Sequence, residues 1–120
     1  MILKDNLYTI KSQNASENKA GFRVALHAES FIYKAHFPNN PITPGVCLIQ
    51  MVVELFGVLR GADFRIKTLK NVKFTAPISP LAFPEVDVAL DFSENENRWQ
   101  IKAIVKESDT VFAKISTILV

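Results

Sequence analysis

The chain has one cysteine in 120 residues, Cys47, so no internal disulfide can form and the staple of small secreted domains is absent. Charge of one sign is also lacking. Fourteen Lys and Arg against twelve Asp and Glu leave a net charge of +2, too little to argue for nucleic acid, and no basic stripe interleaved with aromatics appears. No run reaches the ~20 consecutive apolar residues that a membrane-spanning helix needs. The opening Met1-Ile2-Leu3-Lys4-Asp5 is not followed by the apolar stretch of a secretory leader. His27 and His36 are the only histidines, and no second cysteine exists to build a ligand cluster, so neither a metal nor another cofactor is expected. Repeats, low-complexity tracts and linkers are absent too. What remains is a cytoplasmic globular chain.

Hydrophobic residues make up 48% of the sequence, enough for one core and one domain over residues 1–120. The period of the apolar pattern changes from two to helical and back. Strands are predicted at 6–12, 20–28, 65–75, 85–93, 98–107 and 110–119, with Pro77, Pro80, Pro84 and the polar Ser93-Glu94-Asn95-Glu96-Asn97 marking turns. In the second strand Phe22, Val24 and Leu26 alternate with Arg23, Ala25 and His27, which puts His27 on the more polar face as a spectator. Glu29 to Ala35 reads as a short helical turn.

From Pro44 to Gly61 the pattern is apolar on almost every side, and a helix of that kind is buried, so the rest of the domain must wrap it. Cys47 lies in this run and reads as a small core residue. The simplest architecture is α+β: one antiparallel sheet curled around one long central helix. One narrow face of the helix breaks the pattern. Gln50, Glu54, Gly57 and Gly61 fall within about 60° of one another at 100° per residue, polar at first and then stripped of side chains. A buried amide or carboxylate without partners costs several kcal/mol, roughly 2 to 7 for the amide, so this face must meet either a subunit contact or the wall of a wet site.

Immediately before the helix stands His36-Phe37-Pro38-Asn39-Asn40-Pro41-Ile42-Thr43-Pro44-Gly45-Val46. Three prolines in seven residues stiffen a bend that sets a histidine beside a helix N-terminus. That end of a helix offers unpaired N–H groups and a partial positive charge, which suits a developing oxyanion, while an imidazole near its neutral-range pKa moves a proton. Arg60, Arg65, Lys67, Lys70 and Lys73, with only Asp63 among them, form a local basic excess. It reads first as a solvated strand face and second as a landing site for an acidic partner or phosphate-bearing carrier.

This segment resembles the signature of the hot-dog-fold 3-hydroxyacyl-acyl-carrier-protein dehydratases. His36, Phe37, Pro38, Pro41, Pro44, Gly45 and Val46 match it in order and spacing, and Leu69 to Pro80 is similar to that family's strand after the helix. The resemblance implies a hot-dog fold. It also implies that His36 removes the proton α to a thioester carbonyl, that Gly45 or Val46 supplies the oxyanion-binding amide, and that Phe37, Gly45 and Val46 line the substrate site. The family's carboxylate stands fourteen residues after the histidine, and here that position is Gln50. Glu54, one turn on, occupies a place where relatives commonly have glutamine, and Asn39 replaces a glycine.

Three readings follow. The first is a dehydratase that converts 3-hydroxyacyl thioesters of acyl carrier protein or CoA to trans-2-enoyl thioesters in fatty-acid or related lipid or polyketide synthesis, with Gln50 or Glu54 assisting departure of the hydroxyl. The second is one subunit of a heterodimer with a related hot-dog chain that provides the acid. The third is a non-catalytic acyl-thioester-binding protein or a thioesterase. A homodimer or higher oligomer is expected in the first case, because the resemblance puts the site between subunits.

Overall fold

The computed structural model describes residues 2–35 and 39–120. Strands β1 (Tyr8–Ala15) and β2 (Lys19–Leu26) are followed by a one-turn helix α1 (Phe31–Ala35) and the long helix α2 (Gly45–Arg60). Then come β3 (Ile66–Phe74), β4 (Glu85–Asn95), β5 (Arg98–Glu107) and β6 (Thr110–Leu119). The six strands form one antiparallel sheet in the order β1-β2-β4-β5-β6-β3, the α+β arrangement expected from the sequence.

Period-two alternation explains the inner strands. Ala20, Phe22, Val24 and Leu26 of β2 are buried, as are Val86, Val88, Leu90 and Phe92 of β4 and Ile101, Ala103 and Val105 of β5. Tight turns set the register: Glu96 and Asn97 both adopt positive φ, 55° and 64°, as a two-residue hairpin between right-twisted strands requires. The helix α2 lies across this inner face. Phe56 is its wedge, with ring centroids 5.5 Å from Phe92 of β4 and 5.1 Å from Trp99 of β5, both edge-on.

Two expectations need correction. The first strand runs from Tyr8 to Ala15 rather than 6–12, because its apolar signal ends at Ile10 while backbone pairing with β2 continues past a bulge between Ile10 and Ser12. The residues before it turn instead, with Asn6 N and Leu7 N both donating to Leu3 O. The central helix is also not wrapped on every side. Val46 and Val58 are 71% and 39% exposed, since the sheet covers only one flank of α2. The edge strand β3 is likewise open, with Phe74 at 52% exposure.

On the outer face of the sheet Arg23 gathers three carboxylates. It contacts both oxygens of Glu107 at 2.5 and 2.8 Å, Glu85 at 3.1 Å and Asp87 at 3.1 Å. The hydrogen bonds from Arg23 hold the Glu107 carboxyl below its ordinary value. A carboxyl depressed in the folded state adds stability above the ordinary carboxylate range and loses it as pH falls through the depressed value. Arg23→Met is therefore expected to be less stable than the wild type at neutral pH in urea titrations, with the gap closing below about pH 4. A gap that stayed constant with pH would assign the effect to packing of the side-chain stem.

Candidate active site

The end of α2 that would face a carbonyl is built by anchoring the chain just before it. Thr43 N donates to Ile78 O at 2.8 Å, and Thr43 Oγ1 donates to the same carbonyl at 3.1 Å. With its hydroxyl hydrogen so committed, Thr43 accepts from the Tyr33 hydroxyl at 2.8 Å. Burial pushes the Tyr33 hydroxyl above its ordinary pKa and keeps it a donor. Pro44 then serves as N-cap with φ −61° and ψ 141°, and no side chain caps the helix. Its carbonyl takes Cys47 N and Leu48 N, while the leading amides of Gly45 and Val46 belong to the turn whose N–H groups have no partner within the helix.

Beside these amides lies a depression of about 370 Å³ lined by Ile42, Gly45, Leu48, Phe74 and Ile78 among others. Gly45 is small for a packing reason as well as a chemical one. A Cβ there would stand 2.5 Å from the Phe74 ring, so the end of β3 is pressed against the start of α2. Val46 turns its side chain to solvent and offers the site its backbone only. His36 and Phe37 lie outside the described residues.

Gln50 and Glu54 are brought together. Gln50 Nε2 donates to Glu54 Oε2 at 2.9 Å, and the carboxylate also accepts from Leu3 N and Lys4 N at 2.8 Å each and from the Tyr8 hydroxyl at 2.9 Å. Burial, and then the hydrogen bond to Glu54, raise the Tyr8 hydroxyl far above its ordinary value. The pair lines an open groove of about 600 Å³ with Ile2, Val53, Gly57 and Phe64. Along the helix axis Gln50 is about 7.5 Å beyond Gly45, five residues at ~1.5 Å each.

The glycine half of the polar stripe has a local cause. Gly61 is the C-cap in the left-handed conformation, φ 66°, and its N–H returns to Gly57 O. Gly57 makes room for the turn, since a Cβ there would meet Ala62 O at 2.8 Å. His27 contacts Thr9 Oγ1 through Nε2 at 2.6 Å. Within the basic run the Arg60 guanidinium sits 4.6 Å above the Trp99 ring, Arg65 pairs its backbone with Val120, and Lys73 stands opposite Lys114 on the exposed strand β3. Among the described residues no group of three or more His, Cys, Asp or Glu could hold a metal, and no helix is long and apolar enough to cross a membrane.

The sheet order, the single long helix across it and the anchored helix start are those of a hot-dog protein. The sequence model of the ApeI-like family, described as ApeI dehydratase, matches residues 12–115, and the chain belongs to that family. It is 33% identical over 99 residues to the 3-hydroxyacyl-[acyl-carrier-protein] dehydratase FabZ of Protochlamydia amoebophila, covering 77% of this chain and 64% of that one. The FabZ of Rhodospirillum rubrum is 27% identical over 107 residues, covering 82% and 66%. The chain thus spans just under two thirds of the length of these relatives. Among solved structures it is similar to the dehydratase heterocomplex ApeI:P of Xenorhabdus doucetiae, with a TM-score of 0.73 at 18% identity over 92% of this chain and 96% of that one. An uncharacterized protein of Erwinia carotovora subsp. atroseptica superposes with a TM-score of 0.67 at 18% identity, over 95% and 96%.

Two outcomes are expected from this geometry. Gly57→Ala lowers stability in thermal or urea unfolding although alanine gains up to ~1 kcal/mol of helix propensity, because the atom its Cβ meets is a backbone carbonyl that cannot rotate away. Cys47, buried and with its thiol pushed above the ordinary range by that burial, stays unlabelled by thiol reagents at pH 8 in the folded protein and reacts once urea unfolds it.

Proposed function

We propose that this chain is a hydro-lyase acting on 3-hydroxyacyl thioesters of acyl carrier protein or CoA in the cytoplasm. His36 takes the proton from the carbon α to the thioester carbonyl, and the carbonyl oxygen gathers negative charge against the leading amides at Gly45 and Val46. The electron pair of the broken C–H bond forms the 2,3-double bond, and the bond to the β-hydroxyl breaks. Gln50 orients that hydroxyl. An amide cannot supply the proton that turns the hydroxyl into water, so the His36 imidazolium returns it. The observation that carries the reading is the uncapped start of α2, with Gly45 pressed on Phe74 and Gln50 on the same helix, in a chain of the ApeI-like family.

A second reading has its own support. The amide at position 50 leaves this chain without an acid of its own there, and α2 exposes Val46 and Val58 beside the groove as a surface for another chain. In that case a second hot-dog subunit donates the proton, and activity needs both chains.

The test is conversion of a 3-hydroxyacyl thioester to its 2-enoyl product by the purified protein, alone and mixed with a related hot-dog chain from the same organism. The expected result is dehydration that falls by about 10²- to 10⁴-fold in His36→Ala. Activity only in the mixture selects the heterodimer. Release of free thiol without enoyl product makes the chain a thioesterase, and full activity of His36→Ala removes the proposed site.

A further inference from the structure

We propose that Glu54 is a positioning residue: it sets the orientation of the Gln50 side-chain amide and clamps residues 3–8 onto α2, making the N-terminal segment a structural part of the groove beside Gln50. This deepens the reading above, because Gln50 is the group assigned there to the departing hydroxyl.

The argument starts from the acceptor capacity of a carboxylate. Each oxygen has two lone-pair sites, and here each holds two donors: Oε1 takes Lys4 N and the Tyr8 hydroxyl, Oε2 takes Leu3 N and Gln50 Nε2. A proton on Glu54 would have to displace one of them. Of the four, the two backbone amides and the side-chain amide nitrogen cannot accept it, and the Tyr8 hydroxyl is itself a committed donor held by burial. A carboxylate surrounded in this way organises its neighbours.

It organises two things at once. Because Glu54 Oε2 only accepts, the nitrogen end of the Gln50 amide is the end that faces it, and the carbonyl end is directed away from the carboxylate. The backbone of Leu3 and Lys4 is held by the same two oxygens, and the clamp is backed by the buried side chains of Leu3, Leu7 and Tyr8. Ile2 and Lys4, next to these bonds, line the groove. Glutamine at position 54 could not do this, since it has one carbonyl oxygen and would turn an NH₂ toward donors. A carboxylate at position 54 is therefore what lets this chain seat its own N-terminal segment against α2.

The test uses the full chain labelled with ¹⁵N. In the wild type the two Gln50 side-chain N–H protons are expected to be well separated and slow to exchange, unlike those of exposed Gln13 and Gln100, and the Leu3 and Lys4 amides to be protected. In Glu54→Gln the Gln50 signals move toward the exposed pattern and Leu3 and Lys4 exchange at least tenfold faster. On a 3-hydroxyacyl thioester, kcat falls tenfold or more with KM within twofold. Gln50 signals indistinguishable from those of Gln13 and Gln100 in the wild type would overturn the proposal without any variant. So would a Glu54→Gln protein whose Gln50 signals and amide exchange are unchanged while its kcat loses a limb of the pH profile, the mark of a proton carrier. Absence of dehydration in the wild type would count against the proposed function, while the spectra would still decide the role of Glu54.

Discussion

Everything in this molecule is referred to the contact between the apolar flank of α2 and the inner face of the sheet. Met51, Leu55 and Phe56 are completely buried there, and each such side chain removed from water contributes about 1.5–3 kcal/mol. The edge-on contacts of Phe56 with Phe92 and Trp99, and its ring 4.9 Å from Phe64, fix the rotation of the helix about its axis as well as its position. With the rotation fixed, the start of the helix must meet the end of β3 at Phe74, and its polar stripe must point away from the sheet. The site is where it is because the opposite side of the helix is where the core is.

That geometry sets a problem on the uncovered flank. A carboxylate in the third turn of an otherwise apolar helix is half-buried, and leaving it without partners would cost more than most single contacts gain. The solution is local and economical: two backbone amides, one phenol and one side-chain amide supply four donors for four acceptor sites. The N-terminal segment is thereby made part of the helix's environment. The same flank keeps Val46 and Val58 in solvent, so a surface both apolar and chemically equipped is left open beside the groove.

Much of this was legible along the chain. Alternation in β2, β4 and β5 survives in three dimensions because each strand has one neighbour on either side and one apolar face, so a period of two has a single physical meaning there. The start of the long helix after Pro44 was equally plain, and Gly45, Val46 and Gln50 do share the first turns of that helix. The stripe of Gln50, Glu54, Gly57 and Gly61 was visible as a stripe, and its two glycines answer to the helix C-cap and the turn at Ala62, which spacing alone did not show. Full enclosure of α2 was inferred from composition and did not follow, because apolar residues on every side state what a helix can bury and not how much sheet exists to cover it.

The amino-acid order by itself determined which segments are strands, where the long helix starts, and which polar groups fall on one side of it, since those depend on spacings of two to four residues and on proline and glycine at single positions. Only the tertiary structure decided the partners. Glu54 meets Leu3 and Lys4 from about fifty residues away, Arg23 meets Glu107 across 84, and Gly45 meets Phe74 from a strand at the far edge of the sheet. Hydrogen bonds and steric limits act over a few ångströms of space, and no periodicity in a linear chain encodes which distant residue the packing of a helix on a sheet will bring within that range.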